Sequence, residues 1–251
     1  MKIAVLQSPS PGGNPDLAFA QIAAALNAAG AAGAEVLVAP EAYFPGYNAN
    51  NIPDLAQPKT GVWLKRLSTL CQTANCGLVT GYAESDGNQI FNAAVAFDGN
   101  GNQIAQYRKI QLYGPREAAI YTPGDAYTIF DLAGVKAALL ICYDIEFAPH
   151  VAALADMGAK IILVPTANMH PFTHVVAHTV PAMAANYGVS IAYANYCGEE
   201  GDLNYVGGSL IAGPHGEVLA QAGTGPALLI VDLPNADPAR MSSQAVDFRQ
   251  V

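Results

Sequence analysis

VKAALLICYDIEF, residues 135–147, decides how the rest of the chain is read. An unbroken apolar run from Ala137 to Ile141 leads straight into Cys142, and Tyr143, Asp144 and Glu146 follow at once. Such a run has no polar face, as expected of a strand covered on both sides. Cys142 therefore stands at the strand's exit, not in its middle. A lone cysteine beside an apolar run is ordinarily core, because free Cys is among the most buried residues. Strand exits, however, are where layered α/β folds place their reactive groups.

Similar apolar runs lie on either side: KIAVLQ (2–7), AEVLVAPE (34–41), GLVTGYAE (77–84), KIILVPTAN (160–168), SIAYANYCG (190–198) and PALLIVDLP (226–234). Each reads as a strand. Ala-rich segments between them read as helices. The first, residues 15–33, has Asn14 as N-cap and Pro15 in its first turn. Others fall at 60–76, 149–159 and 173–188. FNAAVAFDGNGNQIAQYRK (91–109) and YVGGSLIAGPHGEVLAQAG (205–223) read as hairpins around Gly-rich turns. Their common layout suggests two related halves. Helices alternating with apolar strands predict a layered α/β or α+β sandwich, and no linker divides residues 1–251 into separate domains.

Composition limits the function. The chain has 251 residues, 52% hydrophobic and 12% charged, with net charge −9. No basic cluster is present to neutralise phosphates, so no nucleic-acid partner is expected. No run is long enough to span a membrane. The opening apolar run is too short for a signal peptide, so a reduced, cytoplasmic protein is expected. Cys71, Cys76, Cys142 and Cys197 form no CxxC pair and no disulfide framework. So few charges leave apolar surface to be covered, which predicts a homodimer or larger assembly.

Three more ionisable residues stand where apolar runs end. Glu41, between VLVAP and AYFPGY, sits in surroundings that desolvate a carboxylate and raise its pKa, which suits a base. Lys109 closes the first hairpin. Glu117, in REAAIYTPGD, fits either a site or the first turn of a short helix. PEAYFPGY (40–47), YRKIQLYG (107–114), REAAIYTPGD (116–125) and LLICYDIEF (139–147) together resemble the sequence blocks of the nitrilase superfamily of carbon–nitrogen hydrolases. VPTANMHP (164–171) fits as well, so the resemblance spans nearly the whole chain. It implies a four-layer α-β-β-α sandwich whose members pair. It implies Cys142 as nucleophile, Glu41 as general base, Lys109 as the cation facing the oxyanion and Glu117 as a second, orienting carboxylate. It implies an amidase that needs no metal or organic cofactor. Nitrilase, N-carbamoyl amino acid amidohydrolase and an idle binding subunit are the alternatives.

The chemistry of these residue types agrees. A carboxylate base and an ammonium beside a thiol make its attack on an amide feasible. The backbone N–H of Tyr143 would join Lys109 in holding the oxyanion. Tyr43, Phe44, Tyr113, Tyr143, Glu146 and Asn168 are the candidate substrate-binding residues, the first three as an aromatic wall. Relatives that grip a substrate carboxylate tend to carry Arg soon after the nucleophile. Here Glu146 stands about there, and no Arg follows until Arg240. That predicts neutral or amine-bearing carboxamides. Substitution at Glu41, Lys109 or Glu117 is expected to cost turnover far more than stability.

Two features depart from the pattern. Met183 and Asn186 stand where the family often has Arg and Glu. His170, His174 and His178 have helical spacing but lack the Glu of an HExxH motif, so no metal is expected. GGSL lacks the Gly-x-Ser-x-Gly elbow of serine hydrolases.

Overall fold

The apolar runs assemble into two six-stranded sheets packed face to face. A computed structural model describes residues 1–249. The first half holds β1 (Lys2–Gln7), α1 (Pro15–Ala31), β2 (Val36–Val38), α2 (Ile52–Leu55), α3 (Val62–Ala74), β3 (Gly77–Asp86), β4 (Gln89–Phe97), β5 (Gln103–Arg108) and α4 (Gly114–Ile120). The second half holds β6 (Ile129–Leu132), β7 (Val135–Leu139), α5 (Ala148–Asp156), β8 (Ile161–Pro165), α6 (Val180–Tyr187), β9 (Ser190–Ala194), β10 (Cys197–Glu200), β11 (Leu203–Val206), β12 (Leu210–Ala212), β13 (Val218–Gln221) and β14 (Ala227–Asp232). One sheet runs β14-β1-β2-β3-β4-β5, the other β13-β12-β9-β8-β7-β6, with β10 and β11 as a separate hairpin.

Side-chain alternation explains the layering. Ile3, Val5, Val36 and Val38 pack into the cluster that holds Leu139, Ile162 and Leu163. Their neighbours Ala4, Leu6 and Leu37 point the other way, onto Phe19, Ile22 and Leu26 of α1 and Leu64 and Leu67 of α3. Each strand is therefore apolar on both faces, as the continuous runs foretold. Val151 and Leu154 of α5 and Val180 and Ala184 of α6 cover the second sheet. The result is the four-layer α-β-β-α sandwich, with the central core between the sheets.

Asn14 caps α1 by accepting hydrogen bonds from the backbone N–H groups of Asp16 and Leu17, each at 3.1 Å. AEVLVAPE is less strand than expected: β2 stops at Val38. Pro40 has no N–H to continue the ladder, and the chain crosses toward the second sheet, where Glu41 N–H donates to Thr166 O. SIAYANYCG breaks after Ala194 because the Asn195 side chain takes over as backbone partner, donating to Asn168 O and Gly207 O. Strand β6 and the β10–β11 hairpin had no clear signal in the sequence.

Candidate active site

Lys109 follows the last residue of β5, and its backbone N–H donates to Asn92 O of β4 at 2.8 Å. That bond points its side chain into the protein, where it is fully buried. Nζ donates to Glu41 Oε1 at 2.6 Å and to Glu117 Oε1 at 2.7 Å. Asn92 Nδ2 donates to the same Glu41 oxygen at 2.7 Å. Tyr47 Oη donates to Glu117 Oε1 at 2.7 Å, and the N–H of Tyr113 to Glu117 Oε2 at 2.9 Å. Glu117 lies in the first turn of α4, so both sequence readings of it hold at once.

Glu41 Oε2 is buried and has no hydrogen-bond partner among the described residues, and the same holds for Asn92 Oδ1 beside it. Glu41 itself is held by its backbone, since Tyr196 Oη donates to its carbonyl at 2.8 Å. The close approach of β3 adds a second constraint. A Cβ on Gly81 would come within 2.7 Å of Glu41 Cα and strike the N of Ala42. Burial raises the Glu41 carboxyl to about 7; the Lys109 ammonium opposes the shift and the Glu117 carboxylate adds to it. Burial alone would lower Lys109, but Glu41 and Glu117 outweigh it and hold the ammonium well above its ordinary range.

Cys142 opens a 3₁₀ turn, Cys142–Glu146, with φ of +47°. A left-handed non-glycine residue costs on the order of 1–3 kcal/mol and persists only where its surroundings impose it. Asp144 imposes it. This fully buried carboxylate accepts from Ile141 N–H at 3.0 Å, Gln111 N–H at 2.7 Å and Tyr107 Oη at 2.8 Å. It thereby ties the turn that holds Cys142 to the chain segment that carries Lys109. Cys142 is partly exposed, whereas Cys71, Cys76 and Cys197 are buried. Burial pushes the Cys142 thiol up and the Glu41 carboxylate adds to this; Lys109, Thr166 and the Ala167 backbone oppose. The resting thiol is therefore neutral.

Cys142 forms part of the wall of a cavity of about 180 Å³, shared with Tyr47, Tyr113, Tyr143, Glu146, Asn168 and Phe172. That is below the roughly 300–1,000 Å³ of drug-sized sites, so the space suits a few heavy atoms. Tyr43 and Phe44 do not line it. They are fully buried in the helix-side core, where Phe44 packs on Phe19 and Trp63, and Tyr43 stacks on Tyr196 and bonds Ser8 and Gln21. The bend after Glu41 turns both rings toward α1, away from the thiol. Asn168 does line the cavity, but its amide Nδ2 donates to Phe172 O at 3.1 Å, so it shapes the wall. His174 reaches the rim, and no group of three or more His, Cys, Asp or Glu side chains converges to hold a metal among the described residues.

Sequence reasoning missed Tyr47, Asn92, Asp144 and Thr166. Asn92 left a signal, as the one amide in the otherwise apolar FNAAVAF. Tyr47 and Asp144 sit inside PEAYFPGY and LLICYDIEF but have no property that marks them before the chain is folded.

Fold and site together put the chain among the thiol hydrolases. It belongs to the carbon–nitrogen hydrolase family, matching the family described as Carbon-nitrogen hydrolase over residues 2–241. It is similar to "Hydrolase in pqqF 5'region" of Pseudomonas protegens, 40% identical over 78% of this chain and 70% of that protein. It is 32% identical to an (R)-stereoselective amidase of Pseudomonas sp, over 85% of this chain and 78% of that one. A solved variant of the amidase from Nesterenkonia sp. AN1, with acrylamide added at its active-site cysteine, superposes with a TM-score of 0.89 at 35% identity over 93% of each chain.

Proposed function

We propose that the chain, acting as one catalytic domain, is an amidase that hydrolyses small carboxamides to the acid and ammonia. The observation that carries this is Glu41: one oxygen is fixed by Lys109 and Asn92, and the other is buried without a partner, in a site that Cys142 shares. Cys142 Sγ attacks the amide carbonyl while its proton passes to the free Glu41 oxygen. The oxyanion is held by Lys109 and the N–H of Tyr143. An ammonium has three donors, and two of those on Lys109 are taken by Glu41 and Glu117, which leaves one to aim at the oxyanion. Each such donor is worth about 3 kcal/mol in the transition state. The C–N bond breaks as Glu41 returns its proton to the leaving nitrogen, and an acyl thioester remains on Cys142. Glu41 then takes a proton from water, the resulting hydroxide attacks the thioester, and the thiolate recovers its proton as the acid leaves.

Glu146 on the cavity wall, with no guanidinium in the lining among the described residues, favours neutral or amine-bearing carboxamides over carboxylate-bearing ones. The protein works as a homodimer or larger in a reducing, cytoplasmic setting. Low charge, free thiols and the exposed Val246 and Phe248 support this. The test is ammonia release from small amides, with a nitrile and an N-carbamoyl amino acid of matched size alongside. Amide turnover that vanishes in Cys142→Ala is expected. Turnover of the nitrile or carbamoyl compound without amide turnover would overturn the reading.

A further inference from the structure

Glu146 ends the 3₁₀ turn that Cys142 begins, so nucleophile and carboxylate are placed by one rigid piece of backbone. Its side chain is half-buried on the cavity wall, and no hydrogen bond or ion pair engages its carboxylate among the described residues. Leaving a carboxylate unpaired in a largely apolar hollow is costly unless something cationic arrives to meet it.

The remaining walls are aromatic. The Tyr113 ring lies 5.4 Å from that of Tyr143 and 5.8 Å from that of Phe172, at 75° and 79°. Rings set at right angles around a small space offer π-electron density to an alkylammonium. Burial raises the Glu146 carboxyl, and His174 and Lys109 oppose that shift. Neither competes for the role proposed here. His174 is exposed at the rim, and Lys109 is engaged by Glu41 and Glu117.

We infer that Glu146, with Tyr113, Tyr143 and Phe172, forms a subsite for an ammonium on the acyl part of the substrate, so that the preferred substrates are amides of amino acids. This rests on the amidase reading and adds the substrate class to it. The carboxylate takes the ammonium's N–H groups and the rings take its alkyl shell.

The experiment compares alaninamide with isobutyramide, which has the same shape with a methyl in place of the ammonium. The full chain at pH 7 is expected to favour alaninamide by about tenfold or more in kcat/KM, the scale of a hydrogen-bonded charge. Glu146→Gln should bring the ratio close to one, and Phe172→Leu should lower it by about threefold. Isobutyramide hydrolysed as well as alaninamide overturns the subsite while leaving the amidase reading intact. So does a ratio that Glu146→Gln leaves unchanged. Failure of both amides overturns the amidase reading and the subsite with it.

Discussion

The two sheets share one plan and differ in what stands at their strand ends. Across β14-β1-β2-β3-β4-β5 the pairings run antiparallel, parallel, parallel, antiparallel, antiparallel. Across β6-β7-β8-β9-β12-β13 the sequence of pairings is the same. Even the irregularities correspond, at Ala96/Phe97 and Ile211/Ala212. Val5 pairs with Val38 and Val38 with Val79; Leu139 pairs with Leu163 and Leu163 with Ala192. Counting three residues on from each matched position sets Glu41 opposite Thr166 and Cys142 opposite Ser8. The frame is therefore used twice, but the charged groups after β2 and β5 lie on the first sheet and the thiol on the second. Hydroxyls occupy the matching ends. Position comes from the frame, and chemistry comes from the side chain placed there.

The largest contrast is between Cys142 and Ser8. Cys142→Ala should reduce kcat by at least about a thousandfold with little change in Tm. Ser8→Ala loses one buried hydrogen bond to Tyr43 Oη. It should keep most activity and lower stability by about 1 kcal/mol. Comparable activity losses for the two would break the idea that the frame is shared but the chemistry is not.

Lys109 corrects an expectation drawn from sequence. Its variants should lose stability as well as turnover, because Lys109→Ala leaves Glu41 and Glu117 buried with no cation between them. Removing one partner of a buried pair costs about 3–5 kcal/mol. In the second sheet, Thr224 just beyond β13 is exposed, and Thr224→Ala should stay within about 0.5 kcal/mol. Urea unfolding of both variants measures the difference.

The pH profile is the next effect in size. In the proposed mechanism Glu41 takes the thiol proton and so must be ionised, and its carboxyl is raised to about 7. The acid limb of kcat/KM should accordingly rise through about pH 7, not near the usual carboxylate pKa. The same shift has the opposite sign for stability. A raised folded pKa contributes stability that is full below the unfolded value of 4.5 and is lost as pH climbs through about 7. The Tm of the wild type relative to Glu41→Gln should therefore fall over that window. Tyr47→Phe, which removes one hydrogen bond to Glu117 Oε1, should lower kcat by about tenfold, well short of the loss in Cys142→Ala.

Much of this was legible in the sequence, for a physical reason. Strands covered on both faces must be apolar throughout, so their ends stand out, and the polar residues just beyond them are conspicuous. That is how Glu41, Lys109 and Cys142 were singled out, and the resemblance of the blocks around them is what joined them. Tyr43 and Phe44 went wrong because the direction of the chain after Glu41 depends on a backbone bond to Thr166 that no local pattern encodes. Tyr47 and Asp144 stayed hidden because their roles are hydrogen bonds to groups far away in the sequence or set by the turn they create. The shared plan of the sheets was visible only as a likeness between two hairpins, since pairing order leaves no mark on residue identity.

The proposed mechanism passes through an acyl thioester on Cys142. Acid quenching during turnover of a small amide, followed by peptide mass mapping, tests it directly. The acyl mass is expected on the peptide that contains Cys142, absent from those with Cys71, Cys76 and Cys197 and absent in Cys142→Ala. An acyl group on another residue, or undiminished amide turnover by Cys142→Ala, would contradict it.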